Sequence, residues 1–209
     1  MSSTGSRRHA PATLRNRDAI LSRLTVHLPD SGTVLEIASG TGEHAAYFTP
    51  RLGAGITWCP SDRDPASLAD IDGYARDSGC GRIAPAQPLD VSQRGWAPDR
   101  AIDAIFCANM IHIAPWSAAL GLFDGAGRLL PAGGRLMLYG PFARNGRHTA
   151  PSNADFDASL RARDPSWGVR DLEGDLLPIA AAAGLQLHAD DPMPANNFLM
   201  VFEKAEPAR

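Results

Sequence analysis

Three carboxylates, two close-set glycines and a histidine carry most of the chemical potential of this 209-residue chain. Glu36 closes the apolar run from Val34 to Ile37 and leads into Ala38, Ser39, Gly40, Thr41 and Gly42, an E-x-x-x-G-x-G spacing. Val34, Leu35 and Ile37 fit a buried strand of a parallel sheet. Gly40 and Gly42 let the chain turn sharply with no Cβ between backbone and ligand, so the N–H groups of residues 38–42 form a nest. Such a turn opening a helix binds pyrophosphate in dinucleotide folds, but that fingerprint is G-x-G-x-x-G, and Ala45 stands at its third position. Glu36 also repels a polyanion and suits a ligand carrying positive charge. The sulfonium and ammonium of S-adenosylmethionine meet that requirement.

Asp62 stands twenty residues beyond Gly42, where the next strand ends and a carboxylate accepts both hydrogen bonds of a ribose diol. The competing reading is a turn aspartate that caps the following helix, a role Asp64 fills better. Arg63 lies beside it. Asp90, in the block PLDV, suits an adenine amine with Val91 on the ring edge, or else is a solvated loop residue. Asn109 and Met110 end a fourth strand next to the centre of the expected cleft, and His44 faces either the ligand's amino-acid part or solvent.

Were such a ligand to give up its methyl group, transfer from the sulfonium would be an in-line displacement, with alignment supplying most of the catalysis. A base is needed only when the nucleophile carries a proton at attack. His112 is the first candidate base, because histidine titrates near neutrality; the competing reading is a loop histidine bonded to a backbone carbonyl. Tyr139, ending the fifth strand, orients an acceptor or closes a methyl cage, or is a buried tyrosine with a bonded hydroxyl. Trp116 is expected to wall the acceptor pocket. The polar, aromatic segment 140–171 is expected to cover the same end of the sheet, with Asn153 and Arg170 as acceptor contacts. Arg170 grips an anion through its planar fork, or pairs with Asp171 on the surface. Asn196 and Asn197 contact substrate or make a turn, and Arg15, Asn16 and Arg17 reach the cofactor carboxylate or form a solvated helix face.

Positioning these residues requires strands that alternate with helices. Leu14, Leu21, Leu24 and Leu28 recur at a helical period from about Thr13, giving one buried stripe that ends at Pro29 and Gly32. Strands are predicted at 33–37, 56–59, 83–89, 102–108 and 135–139, the second stopping at Pro60. Helices are predicted from Glu43 to Leu52, after Asp64-Pro65 to about Ser78, from Pro115 to Leu130, from Asn153 to Arg163 and from Asp171 to Ala183. A hairpin of 185–188 with 198–203 closes the chain. This order predicts an α/β fold with a mostly parallel sheet and helices on both faces.

The composition fits one soluble globular domain, 13–204, between a flexible tail over 1–12 and a short C-terminal tail over 205–209. Hydrophobic residues make up 44% and charged residues 21%, and the net charge of -3 lacks the basic excess that grips nucleic acid. No apolar run approaches the roughly 20 residues a bilayer requires, and MSSTGSRRHAPA lacks an apolar signal core, so a cytoplasmic protein without a membrane partner is expected. Cys59, Cys80 and Cys107 lack C-x-x-C spacing, which predicts reduced thiols and no metal site. The oligomeric state is open.

Beyond the glycine turn, which is similar to motif I of class I methyltransferases, ASGTGEHA, CPSD, NMIHIAPW, YGPF, SNADFDASLRARDPSWGVRD and MPANN follow in order. Together these blocks resemble the DUF938 (methyltransferase-like protein 26) family, over nearly everything from Arg15 to Phe202. The resemblance implies the seven-stranded Rossmann-like class I methyltransferase fold, with an antiparallel C-terminal strand, and binding of S-adenosylmethionine. It supplies no acceptor. A small-molecule acceptor is the reading the residues favour, against a non-catalytic cofactor- or partner-binding module and an NAD-dependent oxidoreductase.

Overall fold

A computed structural model describes residues 7–206. Seven strands form one sheet: β1 (Ser31–Ile37), β2 (Gly55–Asp62), β3 (Gln87–Pro88), β4 (Ala104–Ala108), β5 (Arg135–Gly140), and the last two, Leu185–Met193 and Asn197–Lys204. Ala143–Arg144 and Arg147–His148 make a separate small hairpin, β6 and β7, so the closing strands are β8 and β9. The sheet order is β3-β2-β1-β4-β5-β9-β8. The first five strands run parallel, and β9 enters antiparallel between β5 and β8.

Successive side chains of a strand point to opposite faces, and the sheet uses both. Val34, Ala104, Phe106, Met137, Leu199 and Val201 pack with Ile20 and Leu24 of α1 (Pro11–His27) and Phe48 of α2 (Glu43–Phe48). Leu35, Ile105, Cys107, Leu136, Leu138, Met200 and Phe202 pack with Leu122, Phe123 and Ala126 of α4 (Trp116–Leu129) and Ala180 of α6 (Leu177–Ala182). Each fully buried Val, Leu, Ile, Phe or Met among these contributes about 1.5–3 kcal/mol, so both layers hold the strand ends in place. α3 (Pro65–Asp77) begins as its sequence predicts, with the Asp64 side chain accepting from Ala66 N at 3.0 Å and Pro65 at the first position. α5 spans Pro151–Arg163.

Several expectations are corrected. β2 runs through Pro60 to Asp62. Its outward pairs are Trp58 with Ile83, then Ser61 and Asp62 with Gln87 and Pro88, so Pro60 occupies a gap where no ladder hydrogen bond is lost. The third strand shrinks to two residues, and 89–103 crosses to β4 without a helix. Leu14 is 47% exposed, because at 100° per residue it sits about 120° around the helix from Ile20, and the buried line is Thr13, Ile20, Leu24 and His27. The element predicted over 171–183 opens with a π-type turn, Leu176 N donating to Asp171 O at 3.1 Å, before α6.

The expected N-terminal tail is also revised where it is described. Arg8 pairs with Asp70 at 2.6 Å, Arg7 with Asp77 at 2.5 Å, and Ala10 N donates to Glu43 Oε2 at 2.7 Å, so residues 7–10 are tied to α2 and α3. Residues 1–6 of that tail, and 207–209 of the C-terminal one, lie outside the described residues. Among the described residues no helix is long and apolar enough to cross a membrane.

Candidate functional site

In an open parallel sheet, ligands sit beyond the carboxyl ends of the strands where the strand order reverses, here between β1 and β4. Two cavities open there. The first, about 260 Å³, is lined by Ala38 after β1, Asp62 and Arg63 at the end of β2, Asp90 and Val91 after β3, and Ala108 and Met110 after β4. The second, about 560 Å³, is lined by Arg15 and Asn16 of α1, Asn109, Tyr139, Ser152, Asn153 and Phe156 of α5, and residues 194–197. Ile113 lines both, and Ala108 and Asn109 are chain neighbours on either side, so the two cavities lie side by side at the end of β4.

Glu36 is 2% exposed. Its Oε2 accepts from Ser39 Oγ and from Trp58 Nε1, both at 2.9 Å, while Oε1 stands 4.0 Å from His44 Nδ1. Burial, with Asp62 nearby, pushes its carboxyl up to about 7 against those two hydrogen bonds. A cationic ligand group arriving beside it would restore the ionised form. The turn that follows is held by Ser39 N donating to Ser61 O at 2.8 Å and Gly42 N to Ser39 O at 2.9 Å. Thr41 Oγ1 donates to Glu43 Oε2 at 2.8 Å, facing the helix rather than a ligand.

The two glycines of the turn serve different ends. A Cβ on Gly42 would stand 2.6 Å from Ile71 Cα, so this glycine admits α3, which revises its expected role beside a ligand. A Cβ on Gly40 meets nothing within 4 Å, so the space over that residue is open. Gly40 N donates to Asp62 Oδ2 and Asp64 N to Asp62 Oδ1, both at 2.9 Å. Asp62 is thus fixed by backbone, and each oxygen keeps a lone pair for a diol. Asp90 Oδ1 accepts from Ser92 N and Oγ; burial alone would raise its carboxyl, and these bonds hold it below the ordinary value.

His44 and His112 depart from the sequence expectation. His44 lines neither cavity: it stacks on Phe48 with ring centroids 5.0 Å apart, and its ring is pushed down to about 4, chiefly by burial. Kept neutral, it donates from Nε2 to Asn16 Oδ1 at 2.9 Å. His112 is fully buried against Phe142, and burial together with the Arg170 guanidinium pushes its ring down to about 3. Its Nδ1 accepts from Arg170 N at 3.3 Å, which puts the proton on Nε2, an atom without a partner among the described residues. A buried, neutral imidazole lining neither cavity is not placed to act as the general base.

Arg170 and Trp116 are likewise displaced from their expected acceptor roles. The Arg170 guanidinium donates to Ile111 O at 2.9 Å, Ala114 O at 2.8 Å and Ser166 O at 3.0 Å, and lies 5.4 Å from the Trp116 ring centroid. It ties the loop after β4 to segment 166–170 and faces no cavity. Arg17 lies over the Tyr47 ring. Asn153, Asn196, Asn197 and Tyr139 do come together in the second cavity. Asn153 Nδ2 donates to Thr149 Oγ1 and Asn196 O, both at 3.0 Å. Burial raises the Tyr139 hydroxyl, with Asn16 opposing, so it stays protonated and can donate.

Sequence reading missed Phe156 and Ser152 as cavity residues, and it missed the strain. Of the five non-glycine residues with positive φ among the described residues, Ala38, Asn109, Ala195 and Asn196 line the two cavities. Strained backbone of this kind concentrates at functional sites.

This architecture is that of the class I methyltransferase fold. The structure is similar to an O-methyltransferase family 2 protein from Planctomyces limnophilus in complex with apigenin (TM-score 0.74, 21% identity, covering 93% of this chain and 60% of that one). It is also similar to CalO1, a methyltransferase in calicheamicin biosynthesis, in its SAH-bound form (0.73, 18%, 93% and 55%), and to a putative methyltransferase from Bacillus halodurans (0.68, 17%, 90% and 98%). The chain spans little more than half the length of the first two. Residues 7–204 match the family described as "Protein of unknown function (DUF938)", and the chain belongs to that family.

Proposed function

We propose that this protein is an S-adenosylmethionine-dependent methyltransferase acting on a small molecule. The observation that carries the reading is a pair of cavities on either side of the end of β4, one bearing the carboxylates of Asp62 and Asp90, the other lined with amides. When bound, S-adenosylmethionine supplies an electrophilic methyl group on a sulfonium. Glu36 balances the cofactor's cationic amino-acid end, the backbone around Gly40 cradles it, Asp62 holds the ribose diol, and Asp90 with Val91 receives the adenine. Asn109 and Ile113 stand where the cavities lie side by side, and Tyr139 donates a hydrogen bond to the acceptor. Orientation supplies the rate in such a displacement.

The fold's named structural relatives are methyltransferases, which supports the general reaction without supplying an acceptor. The test is incubation of purified protein with S-adenosylmethionine and an acceptor pool, with S-adenosylhomocysteine read by mass spectrometry. Acceptor-dependent S-adenosylhomocysteine is the expected result. Cofactor binding without any turnover would indicate a non-catalytic module, and tight NAD binding without a response to S-adenosylmethionine would indicate an oxidoreductase.

A further inference from the structure

The chemistry of the second cavity restricts what it can accept. Among the described residues its lining contains no aspartate, glutamate, histidine, lysine or cysteine. Its one charged side chain is Arg15, on the exposed face of α1, with no carboxylate within ion-pair distance among the described residues. The remaining polarity comes from neutral donors and acceptors, chiefly the amides and the Tyr139 hydroxyl. The floor is built: Asn153 is 4% exposed and holds the carbonyl of Asn196, itself in a left-handed conformation at φ 57°. A pocket with a guanidinium and no acid attracts an anion. A pocket lined without a basic side chain favours an acceptor that carries no proton at attack, and His112, the candidate read from the sequence, is walled off behind Gly140 and Phe142.

A carboxylate meets both requirements. We infer that the acceptor is a small organic acid, drawn in by Arg15, and that its carboxylate oxygen is the atom methylated; the inference rests on the methyltransferase reading above. A carboxylate is ionised at neutral pH and needs no base. One oxygen lone pair forms the O–CH3 bond as the S–CH3 bond breaks, and that bond's electron pair stays on sulfur. A sulfonium and a carboxylate become a neutral thioether and a neutral methyl ester, with no proton released. Loss of the acid's charge also removes its attraction to Arg15, which favours release of the ester.

The test uses the full chain, labelled S-adenosylmethionine and matched probes of one size: benzoate and hexanoate against benzamide, benzyl alcohol, benzylamine and phenol. Expected are S-adenosylhomocysteine and base-labile methyl esters from the acids alone. Arg15→Gln raises KM for the acids about tenfold or more with cofactor affinity and kcat retained, and Arg15→Lys recovers part of the loss. If cofactor binds by calorimetry but the acids yield no ester, or only the neutral or amine probes are methylated, the inference is overturned while the methyltransferase reading stands. If Arg15→Gln weakens cofactor binding instead, Arg15 serves the cofactor carboxylate and the inference fails. Absence of any cofactor binding overturns both.

Discussion

Gly40 and Gly42 share a positive φ for different reasons, and substitution separates them. Gly42→Ala forces a Cβ to 2.6 Å from the Ile71 backbone, so it destabilises by about 2 kcal/mol or more in chemical denaturation. Gly40→Ala meets open space and costs only the left-handed strain, about 1–2 kcal/mol, yet it fills the cradle and weakens S-adenosylmethionine binding about tenfold or more by calorimetry. The sequence made both glycines visible but assigned both to the ligand, because Ile71 approaches from a helix almost thirty residues on. The place of Asp62, at the end of β2 and in the first cavity, was legible from its spacing. His112 was misread for the opposite reason, since its residue type suggests a base and only burial reveals a neutral core ring.

Glu36 gives this site a pH signature. Its folded pKa, about 7, lies above the ordinary carboxylate value, so the fold favours the protonated form. That contribution is fully present below about pH 4.5 and is lost as pH rises through 7, on the order of 3 kcal/mol at 1.4 kcal/mol per unit. Thermal unfolding of cofactor-free protein should therefore show Glu36→Gln gaining on the wild type as pH rises from 5 to 8. A constant difference would contradict the assignment. His44 and His112 act in the other direction: with folded values near 4 and 3, their contribution is present above about 6.5 and lost as pH falls through the acid range.

Helix α4 shapes the first cavity from behind, through the loop that replaces a crossover helix. A Cβ on Gly121 would stand 1.9 Å from Val91 O, and one on Gly125 would stand 2.1 Å from Trp96 Cζ2, so the loop lies against the helix backbone. Gly121→Ala should lower stability and cofactor affinity together, because Asp90 and Val91 must move. Asn153→Ala on α5 removes the donor to Asn196 O and should raise acceptor KM while leaving the cofactor dissociation constant unchanged. Elements were legible where caps or long apolar periods marked them, as at Asp64-Pro65 and 104–108. They were not where tertiary pairing decides: β2 passes through Pro60, and β3 keeps two residues, for reasons that lie in neighbouring strands.

For the chain as a whole, the sheet order places every proposed ligand contact at one end, with both faces of the sheet buried beneath it. A ligand held there stabilises the fold by mass action: at a hundred times its dissociation constant, about 2.7 kcal/mol. For a domain of this size that raises the melting temperature by roughly 5–10 °C. The most direct measurement is calorimetric titration of the purified chain with S-adenosylmethionine, S-adenosylhomocysteine and NAD in parallel. The account predicts saturable one-to-one binding of the first two, weakened at least about tenfold by Gly40→Ala. Binding of NAD with no heat from S-adenosylmethionine or S-adenosylhomocysteine would contradict it.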